Sequence, residues 1–176
     1  MIALHDATRR PDFTGRIVGV LSDQRNAGGL LAARERGLET AAVPREPSEA
    51  KRAHEARVLD RIRAWQPELV CLAGYMRILS PELIDALGGW VLNIHPSLLP
   101  SFPGLDTHAR AIEAGAKRHG CTVHWVTPGV DEGPIVAQEG LDVRPGETAE
   151  ALGARVLALE HRLYPLAVAK VLGRTA

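Results

Sequence analysis

Cysteine is scarce in this chain, which has only Cys71 and Cys121 among its 176 residues. Each sits inside an apolar, strand-like run, which suits reduced, buried thiols better than a disulfide framework and points to a cytoplasmic setting. Long apolar runs are lacking too: none approaches the roughly 18 residues of a membrane span. The opening Met1-Ile2-Ala3-Leu4-His5-Asp6-Ala7-Thr8-Arg9-Arg10 has no apolar core of signal-peptide length, so a soluble protein is expected. Neither sign of charge is in excess, with 21 basic residues against 21 acidic ones. The electrostatic footprint of a nucleic-acid binder is therefore missing. Internal repeats and low-complexity linkers are absent as well.

What is present is an ordinary globular balance, 45% hydrophobic and 24% charged, in a chain whose length fits one domain with a real core. Apolar runs alternate with helical patterns. Arg16–Asp23 reads as a strand, followed by a helix from Gly28 to about Arg36, and Thr40–Val43 as another strand. Pro47–Trp65 reads as a long amphipathic helix, with Ala53, Ala56, Leu59 and Ile62 apolar and Lys51, Arg52, Glu55, Arg57 and Arg61 on a solvated face. Glu68–Ala73 reads as a buried strand, and Ser80-Pro81 as a helix start with Ser80 as N-cap. A helix over Thr107–Ala114, strands over Cys121–Val126 and Ile135–Val143, and a last helix over Glu147–Leu172, broken or bent near Pro165, complete the pattern. Strands alternating with helices imply an α/β fold with a mainly parallel sheet and flanking helices.

The most telling segment is Trp90-Val91-Leu92-Asn93-Ile94-His95-Pro96-Ser97-Leu98-Leu99-Pro100. Side chains alternate along a strand, so Asn93 and His95 share one face while Leu92 and Ile94 occupy the other. Pro96 supplies no N–H, which places His95 at the C-terminal edge, where open α/β sheets present ligand sites. A lone histidine beside an apolar run is more often a packed or surface residue than a catalyst. Company downstream raises the odds: Gly104-Leu105-Asp106-Thr107-His108, His119-Gly120-Cys121-Thr122-Val123-His124 and Val130-Asp131-Glu132-Gly133-Pro134.

With these motifs the chain resembles the folate-dependent formyltransferases over nearly its whole length. Pro96 and Pro103-Gly104-Leu105 favour the branch that formylates glycinamide ribonucleotide. Deformylases of formyltetrahydrofolate carry a second histidine where Pro96 stands, and methionyl-tRNA formyltransferases an Arg-Gly-Ala run after Leu-Leu-Pro. The resemblance implies a formyltransferase-type, Rossmann-like single domain over residues 1–176. It also implies formyl transfer from 10-formyltetrahydrofolate to glycinamide ribonucleotide in purine synthesis, without a metal, a nucleic acid or a membrane, and it leaves a homodimer open. Two alternatives stand beside it: hydrolysis of the same folate, and a folate-binding protein of impaired catalysis.

By the same resemblance His95 is the general acid or oxyanion donor, Asn93 holds the formyl oxygen and Asp131 orients and charges the His95 ring. Unsupported, Asp131 would be read as a turn-capping residue. Folate contacts fall on Met76, Arg77, Ile78 and Leu79, and on the loop Thr127, Pro128, Gly129, Val130 and Asp131, largely through backbone. Lys51 stands where the family commonly has arginine, as a contact to the glutamate tail, and is otherwise a solvated lysine. Glu160, Pro96 and His108 are implied on the ribonucleotide side, whereas Asp106 replaces a frequent histidine. His119 and His124, five residues apart on opposite strand faces, are expected to be structural.

One departure concerns the beginning. Met1-Ile2-Ala3-Leu4 matches the first turn of the family's first helix, so a preceding strand and Gly-x-Gly-Ser-Asn loop, about 12 residues including a strand of typical length, have no counterpart. The expectation is an internal methionine taken as the start, or else a shortened relative whose phosphate subsite lacks its backbone N–H donors.

Overall fold

The computed structural model describes residues 1–173. Its chain order is α1 (Ile2–Thr8), β1 (Val20–Ser22), α2 (Gly28–Arg34), β2 (Thr40–Ala42), α3 (Lys51–Trp65), β3 (Val70–Leu72), α4 (Pro81–Ala86), β4 (Val91–His95), α5 (Thr107–Glu113), β5 (Arg118–Trp125), β6 (Ile135–Asp142) and α6 (Ala149–Leu172). The expected α/β alternation is there. β1 pairs parallel with β2 in a two-stranded sheet, and β3-β4-β5-β6 form a second sheet in that order. Within it β3 and β4 run parallel, while β4–β5 and β5–β6 are antiparallel.

The core lies between the larger sheet and α6. Leu152, Val156, Leu163, Tyr164, Ala167, Val168 and Val171 recur at helical spacing along α6 and pack on Leu92, Cys121 and Val123. The Tyr164 hydroxyl, wholly inside this layer, reaches the carbonyls of Leu72 at 2.8 Å and Leu92 at 3.1 Å, tying the helix to β3 and β4 together. A smaller cluster of Leu79, Leu83, Ile84 and Val91 seats α4. There the Ser80 hydroxyl accepts from Leu83 N at 3.2 Å with Pro81 opening the helix, as its sequence predicts.

Several expectations are corrected. α6 runs through the buried Pro165 without the expected break. α3 starts at Lys51 and not at Pro47. The Glu49 carboxylate accepts from Glu46 N and from Arg57, holding 46–49 as a turn. The inward stripe of α3 is His54, Glu55 and Val58, with Ala53 and Ala56 exposed, so Glu55 leaves the solvated face assigned to it. β3 is shorter than Glu68–Ala73 and only half-buried, as are β1 and β2. Parallel strands are ordinarily covered on both faces; here, among the described residues, β1 and β3 each have a partner strand on one side alone. Both cysteines are free thiols, and burial pushes Cys71 up to about 11 and Cys121 up to about 12. Among the described residues no helix is long and apolar enough to cross a membrane.

Candidate active site

The alternation of β4 sends Asn93 and His95 to one face, and the antiparallel register sets His124 opposite Asn93 and Thr122 opposite His95. Directly opposed residues share a face, so four polar side chains line one patch of sheet. The loop 126–134 leaves β5 at the Leu92 end of β4, since Leu92 faces Trp125, and doubles back across this patch. Gly133 makes that return fit: a Cβ there would collide with the Trp125 carbonyl oxygen. Asp131, at φ 56°, is the residue the loop delivers.

The Asp131 carboxylate is nearly enclosed and lies between two histidines. Its Oδ2 lies 3.3 Å from His95 Nδ1 and its Oδ1 3.6 Å from His124 Nε2. Oδ2 also accepts from Gly104 N at 2.8 Å, so the Pro103-Gly104 turn and the 126–134 loop meet at one carboxylate. The His95 ring is buried, with Nε2 3.0 Å from the Phe102 carbonyl. The ring is thus held at Nε2 by a backbone carbonyl and has a carboxylate close to Nδ1.

His124, structural by its spacing in the sequence, is brought into the site by the fold. Burial lowers its pKa, opposed by the bond to the Trp125 carbonyl and by Asp131. The neutral ring with hydrogen on Nδ1 donates to that carbonyl at 2.9 Å, which leaves Nε2 to accept from Asn93 Nδ2 at 3.3 Å. His124 therefore fixes the orientation of the Asn93 amide. Its signal is the pairing of β4 with β5, which no local pattern discloses.

Behind the patch a polar network holds the turn after β4. Thr122 Oγ1 donates to the Ser97 carbonyl at 2.7 Å and accepts from Leu99 N at 3.1 Å and Gln138 Nε2 at 2.8 Å. The Pro96 carbonyl accepts from Thr107 Oγ1 at 2.8 Å. His108 Nδ1 stands 3.1 Å from His119 Nε2, and burial lowers the pKa of both rings, His119 to about 4.

Of the remaining candidate residues, Met76 and Ile78 are exposed, and Arg77 Nε donates to Asp23 Oδ2 at 2.6 Å. Leu79 is buried with Leu83, Ile84 and Val91, so what it can offer a ligand is backbone. In the loop after β5, Val130 and Pro128 are exposed, and Thr127 and Gly129 are half-buried. Lys51 Nζ is 3.8 Å from Glu55, with its side chain half exposed. Glu160 lies half-buried on α6, and burial raises its carboxyl pKa. No group of three or more His, Cys, Asp or Glu among the described residues is placed to hold a metal ion.

The family model described as formyl transferase matches residues 1–168. A phosphoribosylglycinamide formyltransferase of Escherichia coli (strain K12) is 39% identical over 166 residues, 94% of this chain and 78% of that protein. The trifunctional purine biosynthetic protein adenosine-3 of Bos taurus is also 39% identical over 166 residues, but the chain spans only 16% of its length. The crystal structure of phosphoribosylglycinamide formyltransferase from Brucella melitensis superposes with a TM-score of 0.91 at 52% identity, covering 96% of this chain and 87% of that one. On its sequence, its fold and its relatives, the chain belongs to the formyl transferase family.

Proposed function

We propose that this protein moves the formyl group of 10-formyltetrahydrofolate to the amine of glycinamide ribonucleotide, a step of purine synthesis. The observation that carries the reading is the buried His95–Asp131 contact at 3.3 Å beside the Asn93 amide. Relatives that bear the formyltransferase name support it. The folate co-substrate supplies the formyl carbon, which bonds to the ribonucleotide amine as its bond to the folate nitrogen breaks, one proton passing from amine to departing nitrogen.

During that exchange negative charge gathers on the formyl oxygen, and donors aimed at it lower the barrier. His95 Nε2–H is one such donor, and the oxygen reaches it by taking the place of the Phe102 carbonyl. The Asn93 amide, oriented by His124, supplies a second N–H. Asp131 holds the ring and balances its positive charge. For the folate ring, the residues fit a flat heterocycle: exposed Met76, Ile78 and Val130 offer apolar surface, and the Arg77–Leu79 and Thr127–Asp131 backbones offer fixed polar groups. Lys51 would meet the acidic tail, and Glu160, Pro96 and His108 the ribonucleotide side.

The test is to incubate the protein with both substrates and measure formylglycinamide ribonucleotide and formate separately. Formylated ribonucleotide is expected. Formate release that ignores the ribonucleotide would establish a deformylase, and folate binding with neither product a binding protein.

A further inference from the structure

The stretch that carries the proposed folate contacts has little packing of its own. Met76 is 73% and Ile78 61% exposed, and only Leu79 of the four is seated in the core. Gly74 at φ 67° turns the chain into the segment, and Tyr75 packs on the Leu79 cluster beside it. Such a loop needs outside ties to hold one shape, and two carboxylates provide them.

Asp23, just past β1, takes the Arg77 guanidinium at 2.6 Å, with its own side chain only 15% exposed. Glu55, buried on the inward face of α3, accepts the Ser80 backbone N–H at 2.9 Å and has the Lys51 ammonium at 3.8 Å. The two grip the segment at its middle and at its end. Both come from β1 and α3, elements that share no strand ladder with the sheet carrying His95. We infer that Asp23, with Glu55 as its second post, is a positioning residue for folate binding, setting the shape of Met76–Leu79 without touching the ligand.

A fully exposed ion pair contributes too little to leave a trace on binding. This one is short and shielded on the acid side, where a charge-assisted hydrogen bond is stronger. The inference rests on the folate reading of Met76–Leu79, so its test separates the two. Heteronuclear NOEs of the Arg77, Ile78 and Leu79 amides report the order of the loop without any ligand, and titration with 10-formyltetrahydrofolate reports binding.

Asp23→Ala should lower the heteronuclear NOEs at 77–79 while leaving those of β4 and β5 unchanged, and should weaken folate binding about tenfold. Adding Arg77→Ala should cost nothing further, because the pair acts as one tie. Asp23→Asn, which keeps shape and an acceptor oxygen, should fall between and serves if the alanine variant does not fold. Unchanged heteronuclear NOEs in both variants overturn the inference. A loosened 77–79 segment with unaltered folate affinity overturns it as well, while sparing the folate reading; wild-type protein that binds no folate defeats that reading and this inference with it.

Discussion

His95 Nδ1 and Asp131 Oδ2 stand 3.3 Å apart although 35 residues of chain, including the helix α5 and the strand β5, separate their positions. The contact is made by the doubling back of the 126–134 loop across the β4–β5 face, so it is a tertiary product and not a local one. Asp131→Asn keeps an oxygen for Gly104 N but removes the charge facing the ring. Turnover should fall by about 10²–10³ with folate affinity within about threefold, since proton transfer and charge stabilisation at such groups are worth that much. Steady-state kinetics beside folate titration decide it, and an unchanged turnover would remove Asp131 from the mechanism. His95→Ala combined with Asp131→Asn should be little worse than His95→Ala alone, as members of one unit are not additive.

Asn93 depends in turn on His124. With Nδ1–H given to the Trp125 carbonyl, the imidazole can only accept from the amide, which locks its orientation. His124→Phe preserves bulk and removes the acceptor. Turnover should drop about tenfold, roughly the value of one hydrogen bond that aims another. In an Asn93→Ala background the same change should cost almost nothing. A full additive loss in the double variant would show that His124 acts some other way.

The strand face that pairs Asn93 with His95 was legible because a period of two needs only the local sequence, and the Ser80-Pro81 cap was legible because its chemistry lies within four residues. His124 was not, since its place beside Asn93 is set by the register between β4 and β5, a non-local choice. Glu55 looked like a solvated charge because its partner, the Ser80 N–H, lies 25 residues on. Asp131 read in isolation was a turn residue, and so it is, at φ 56°; only the fold sets that turn over a histidine.

The histidines in and behind the site make stability depend on acid. The His119 pKa falls from the ordinary value of about 6.5 to about 4 by burial, and those of His108 and His124 move the same way. The unfolded chain then binds more protons than the folded one between those two values, so stability is complete above about pH 6.5 and drains away as pH falls towards 4. Urea midpoints should be lower at pH 5 than at pH 7.5. His119→Gln, which keeps a polar partner for His108 but does not titrate, should flatten that slope; an unaltered slope would assign the acid lability elsewhere.

Thr122 offers a stability test independent of catalysis by any titrating group. Its hydroxyl is fully buried, gives its hydrogen to the Ser97 carbonyl and takes the Leu99 N–H, thereby closing the turn after His95. Thr122→Val is nearly the same size, so no cavity forms, but the Leu99 N–H loses its acceptor inside the protein. The Gln138 amide keeps the Leu99 carbonyl, to which it also donates at 2.7 Å, whereas the Leu99 N–H is left with no acceptor. The cost should be about 1–3 kcal/mol, the penalty of an unsatisfied buried donor, read as a lower urea midpoint with an unchanged slope. Thr122→Ser, which retains the hydroxyl and gives up a methyl, should lose only about 1 kcal/mol. If valine and serine destabilise alike, packing of the methyl holds this turn and the hydroxyl network does not.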